Sequence, residues 1–126
     1  MTNNITVIQT NIYQKMSKKI NLTFSERLIA VRMFNDFQGT FTQAAVLNKD
    51  VPAFAISKAE LEAAPEYKAI ELGDGQTQFT WKDEKTGKAL ELQDETIDYL
   101  KEKIGSYAKF QINDAPVVEA LKAKLQ

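Results

Sequence analysis

The sequence predicts an α+β fold, with several short helices packed on a small antiparallel sheet around a single core. Helical patterns fill the early and late parts of the chain. A strand-turn-strand pattern lies between them, and no β-α-β alternation of the kind that builds parallel sheets occurs. A length of 126 residues, 44% hydrophobic and 26% charged, suits one domain. Residues 16–126 are expected to form it. Residues 1–15 are polar, rich in Asn and Thr, and are expected to be an extension, either disordered or adding a strand.

The elements follow from local pattern. "KKINLTF" alternates, with Ile20, Leu22 and Phe24 on one side, and predicts a short strand. Thr23 or Ser25 can then cap a helix whose core stripe is Ile29, Ala30, Met33, Phe34 and Phe37, with Leu28 left among polar neighbours. Gly39 predicts its end, and Thr40 or Thr42 the start of a second helix through Leu47, stopped near Val51-Pro52. Ser57 and Glu60 form a capping box on a short third helix that Pro65 terminates. After a loose segment, "ELGDGQ" turns the chain with two glycines.

A β-hairpin is expected at about residues 76–92. Its first strand carries Thr77, Phe79 and Trp81 on one face, "DEKTGK" supplies a type I turn with Gly87 at a bulge, and Leu90 and Leu92 lie on the return strand. Asp94 is the expected cap of a helix carrying Ile97, Leu100 and Ile104, with Gly105 as its stop. "SYAKFQI" is read as a further strand. Asn113 or Asp114 then caps a last helix with Val117 or Val118, Leu121 and Leu125 on one side, Pro116 being compatible with its first turn.

Composition removes most familiar chemistries. The chain has no cysteine and no histidine, so it carries no disulfide, no thiol nucleophile and no histidine base or metal ligand. Serine, cysteine and zinc hydrolase mechanisms of the common kinds are excluded, which leaves an enzyme built on carboxylates as the third-ranked reading. No catalytic, cofactor or metal residue is assigned. Glu71 and Asp74 flank a glycine turn but lack the ligand spacing of a calcium loop, and "GDG" precedes a strand, whereas phosphate loops open a helix. Neither a basic-apolar leader pattern nor an apolar run near the ~20 residues of a membrane span is present, so a cytoplasmic location is expected.

Two surfaces are left. Residues 1–49 carry six basic against two acidic side chains, whereas the remainder has ten lysines against fifteen acids. Lys15, Lys18, Lys19, Arg27 and Arg32 are therefore the candidate contacts for nucleic acid. The acidic series Glu60, Glu62, Glu66, Glu71 and Asp74 is interrupted by Lys58 and Lys68 and reads as a solvated face. Trp81, the single tryptophan, is read first as core and second as an interface anchor. With Leu28, Phe79 and Lys82 it makes the candidate protein interface.

The runs "INLTFSERLIAVRMFNDFQGTF", "TWKDEKTGKALELQDETIDYLKEKI" and "INDAPVVEALKAKL" resemble small accessory proteins of tailed phages and prophages over about 110 residues, outside residues 1–15. The resemblance implies a class only, that of soluble proteins which bind a bacterial host protein, and carries no site residue. The expectation is a non-enzymatic cytoplasmic domain that binds a protein partner, or a second copy of itself, by surface occlusion. Nucleic-acid binding through the basic half is the alternative.

Overall fold

In the computed structural model, which describes residues 17–126, the first and last thirds of the chain close on each other. Strand β1 (Ser17–Leu22) pairs antiparallel with β4 (Lys88–Gln93), with Ile20 opposite Leu90. Between them lie α1 (Phe24–Asn35), α2 (Phe41–Asp50), a 3-10 turn (Val51–Phe54), the single-turn α3 (Lys58–Glu62), β2 (Lys68–Gly73), β3 (Gln76–Thr80) and a second 3-10 turn (Asp83–Lys85). Helix α4 (Asp94–Ser106), a third 3-10 turn (Ile112–Asp114) and α5 (Ala115–Leu125) complete the chain. The class is α+β with one hydrophobic core, as the sequence predicts. The expected N-terminal extension lies outside the described residues.

Alternation decides the central pairing. Ile20, Leu22, Leu90 and Leu92 are buried on one face of the β1–β4 pair, under α2, α4 and α5. The predicted helical stripes also close on this core: Ile29, Ala30, Met33 and Phe34 from α1, Ile97 and Leu100 from α4, and Leu121 and Leu125 from α5 are buried. Leu28 falls outside its stripe and is 43% exposed.

The hairpin lies elsewhere than at residues 76–92. Gln76–Thr80 pairs backward with Lys68–Gly73, and Lys88–Gln93 joins β1, giving two two-stranded sheets among the described residues instead of one. Two leucines on alternate positions of β4 bury against Ile20 and Leu22, which a partner strand with Phe79 as its one large apolar residue cannot match. The turn Gly73-Asp74-Gly75 has φ of +85°, +53° and +76°, a left-handed run suited to Gly and Asp that reverses β2 into β3. Gly87 has no left-handed φ, and residues 83–85 form a 3-10 turn in place of the predicted bulge.

Other boundaries shift by small amounts. Thr23, Thr40 and Ser57 each head a helix with a reciprocal capping box, to Glu26, Gln43 and Glu60. Gln93, not Asp94, is the N-cap of α4, which runs through Gly105 to Ser106, and the segment read as a strand after it has no regular structure. Asp114 caps α5 by position, but its carboxylate accepts from the Gln111 N–H at 2.7 Å.

The capping boxes also place charges inside. Arg27, with no exposed surface, spans from α1 to the segment after the Val51–Phe54 turn. It donates to the carbonyls of Phe54 and Ala55 and forks onto both carboxylate oxygens of Glu60 at 3.3 and 3.2 Å. Glu60 is thus at once the partner of a buried cation and the N3 residue of α3. On the neighbouring position of α1, buried Glu26 caps its own helix and accepts from Lys124 of α5 at 2.6 Å. Asp50, at the end of α2, accepts from the Gln93 N–H at 2.8 Å and from Thr96 Oγ1 at 2.6 Å, tying α2 to the start of α4.

Removing Glu60 strands the guanidinium in the interior. Glu60→Ala is expected to cost about 3–5 kcal/mol in urea unfolding at neutral pH. Glu62→Ala, two residues further on in a surface pair with Lys58, is expected to change stability by less than about 0.5 kcal/mol. The Arg27 hydrogen bonds, opposed by burial, hold the Glu60 carboxyl at about 2, against an ordinary 4.5. A depressed folded-state pKa contributes stability above the unfolded value that is lost as pH falls. Stability is therefore expected to decline between pH 4.5 and about 2, and Glu60→Gln to flatten that part of the profile.

Candidate functional site: the exposed arm at residues 68–80

The β2–β3 hairpin projects from the domain. Its extensive contacts are between its own strands, and almost every residue along it is exposed. At its base the Lys82 N–H donates to the Pro65 carbonyl at 2.8 Å, and the Lys82 ammonium stands 3.9 Å from Glu66. Register sets the two faces. Ala69, Glu71, Thr77 and Phe79 share one, and Lys68, Ile70, Gln78 and Thr80 the other. Tyr67 stacks on Phe79 with ring centroids 6.2 Å apart.

Apolar side chains therefore stand on both faces of the arm. Ile70 is 45%, Leu72 58% and Phe79 45% exposed. A two-stranded hairpin has no third strand or helix behind which to hide such groups. Among the described residues both outer strand edges are also unpaired, and β3 carries no charge and no proline, the usual devices that blunt an edge.

Trp81 belongs to the root of the arm. It is half-buried, meets buried Phe24 edge-on at 5.6 Å, and donates from Nε1 to Asp83 Oδ1 at 2.9 Å. The same Asp83 oxygen accepts the Ser25 N–H at 2.9 Å, and Thr86 Oγ1 accepts the Phe24 N–H at 2.8 Å. Together with Thr23 they satisfy three of the N–H groups that the start of α1 leaves without intrahelical partners. Burial acts to raise the Asp83 pKa, but the hydrogen bonds from Trp81 and Ser25 prevail and hold it below the ordinary carboxylate value. The charged turn after Trp81 is thus the clamp on α1 from which the arm departs.

The predicted interface set divides accordingly. Phe79 lies on the arm, Trp81 and Lys82 at its root, and Leu28 on α1, one helical turn beyond the Phe24 that Trp81 meets. The apolar residues missed were Tyr67, just ahead of β2, and Ile70 and Leu72 on it, in chain read as a loose segment and a glycine turn. The Asp74-Gly75 pair with alternating residues before it was the available signal.

The predicted basic set is not all available at the surface. Arg27 is interior and unavailable to a phosphate, a correction to its assignment as a nucleic-acid contact. Arg32 is held by Asp114 at 3.0 Å and donates to the Lys109 carbonyl. Lys18 donates to the Gln126 carbonyl, Lys19 is exposed, and Lys15 lies outside the described residues. Of the acidic series, Glu60 is committed to Arg27.

Among the described residues no group of three or more side chains is arranged to hold a metal ion, and no helix is long and apolar enough to cross a membrane. No protein-family model, no curated protein and no solved structure matches the chain.

The arm and its root are expected to separate on mutation. Leu72→Ser or Ile70→Ser should leave the urea midpoint almost unchanged, within about 0.5 kcal/mol. Trp81→Ala, which removes the contact with Phe24 and one partner of Asp83, should cost about 2 kcal/mol or more in the same measurement.

Proposed function

We propose that the chain is a non-enzymatic protein-binding domain whose arm, residues 68–80, seats in a cleft of a partner protein and occludes it. One observation carries this reading: apolar residues stand on both faces of a two-stranded arm whose extensive contacts, among the described residues, are between its own strands. A single flat surface covers only one face, so a cleft is the complementary shape. Phe79 and Ile70, on opposite faces, would be the anchors, Leu72 a third apolar contact near the tip, and Lys68 and Glu71 would set orientation. The unpaired β3 edge offers backbone groups for strand addition in the same cleft. The resemblance of the sequence to phage accessory proteins supports a bacterial host protein, met in the host cytoplasm, as the partner. A second copy of the chain is the other partner the arm would suit.

A photoreactive residue at position 79 tests this, with position 119, exposed on α5, as the control. In bacterial lysate, one stoichiometric protein joined to position 79 and not to 119, and lost with Ile70→Ser/Leu72→Ser, is the expected result. Self-crosslinking through 79, with a dimer in sedimentation that the same substitutions dissolve, would favour the homodimer. Equal labelling at both positions would refute the arm as the binding element. Recovery of DNA or RNA whose binding weakens steeply between low and moderate salt would favour nucleic-acid binding instead.

A further inference from the structure

A groove that uses none of the arm's residues runs between α2 and α4. Its main cavity, of 330 Å³, has Val46, Leu47 and Tyr99 as floor and Glu95, Asp98 and Glu102 as one bank, with uncharged Thr42 and Gln43 opposite. It continues past Tyr99 into a second cavity of 180 Å³ that reaches Phe37 and Ser106. The floor is fixed before anything binds. Tyr99 donates its hydroxyl to the Met33 carbonyl at 2.9 Å, stacks on Phe34 with centroids 5.8 Å apart, and is tilted against Phe37 at 5.5 Å.

The bank is acidic along its length. Glu95, Asp98 and Glu102 follow one another at helical spacing on one face of α4 and are exposed. No ion pair among the described residues engages any of them. Lys103, the base that borders the groove, is held by Asp36 at 2.9 Å. Glu95 and Asp98 suit the N-terminal half of a helix. Glu102 stands near the C-terminal end, where the dipole disfavours a carboxylate, so the stability of α4 does not account for it.

Both walls are helices whose backbone groups are already paired, so an occupant must be read by its side chains and not by strand addition. Glu95 to Ser106 spans about 16 Å, roughly three turns of a helix laid alongside. From the apolar floor and the unpaired acidic bank, we propose that this groove docks a basic amphipathic helix of a partner protein. Its apolar stripe would lie on Val46, Leu47 and Tyr99, and its lysines or arginines would face Glu95, Asp98 and Glu102. This surface stands independently of the arm.

The test uses a capped Leu/Lys helical peptide of about twelve residues, titrated into isotope-labelled full chain. NMR shift changes are expected to centre on Val46, Leu47 and Tyr99. Glu95→Gln/Asp98→Asn/Glu102→Gln, with its melting temperature unchanged, is expected to weaken binding by roughly tenfold. A peptide of the same charge with its leucines scrambled off the stripe should also bind roughly tenfold more weakly. Should the triple variant melt early, Glu102→Gln alone is used, with roughly a threefold loss expected. The proposal is overturned if the shifts avoid Val46 and Leu47 or gather on the arm. It fails equally if the neutralised chain binds as tightly as the parent, or if the scrambled peptide binds as tightly as the striped one.

Discussion

The fold depends on one buried cation. Arg27 places a full positive charge where no water reaches it, and a charge so placed persists only with partners fixed around it. The segment that follows α2 provides them, presenting two carbonyls and the Glu60 carboxylate, and it can do so only if the Val51–Phe54 turn and α3 hold one geometry. An apolar side chain in the place of Arg27 would tolerate several packings of that segment. The fork of hydrogen bonds accepts one, so the ion pair specifies the route of the chain more than it adds to the strength of the core.

That constraint bears on the arm. The chain from Ala55 to Pro65 is fastened to α1 by Arg27, and the chain from Trp81 to Thr86 is fastened to the start of α1 by Asp83 and Thr86. What lies between these anchorages needs no core of its own. β2 and β3 can remain outside because both their ends are tied to the same helix. The core is completed by β1, β4 and the helices, so the apolar side chains of the arm are surplus to folding.

Periodicity made the helical core legible. The stripes on α1, α4 and α5 were written in the spacing of Ile29 to Phe34, Ile97 to Leu100 and Leu121 to Leu125, because residues three and four apart must share a face. Pairing between strands has no such local code. "KALEL" reads equally well as the return of a hairpin after "QFTW" or as the partner of "KKINL", and the choice rests on burial of leucines against residues seventy positions away. Arg27 was similarly hidden, since its place beside Ser25 and Glu26 in a capping sequence looks like any solvated charge until the carbonyls after α2 arrive. For the same reason half of the arm was legible. The Phe79 strand alternates visibly, whereas "KAIEL" becomes a strand only through its neighbour.

The β1–β4 pairing also governs how the chain reaches this state. Ile20 faces Leu90, so β1 emerges from a ribosome long before its partner exists, and the core has no completed sheet until most of the polypeptide has been made. Hairpin 68–80, closed by its own turn, is local and can form early; the sheet cannot. Through that interval β1 is an unpatched strand whose sequence, "SKKINL", carries two adjacent lysines ahead of its apolar residues. In the folded chain Lys18 reaches the Gln126 carbonyl and Lys19 is exposed, and in the nascent chain like charges of this kind also keep waiting strands from pairing with one another.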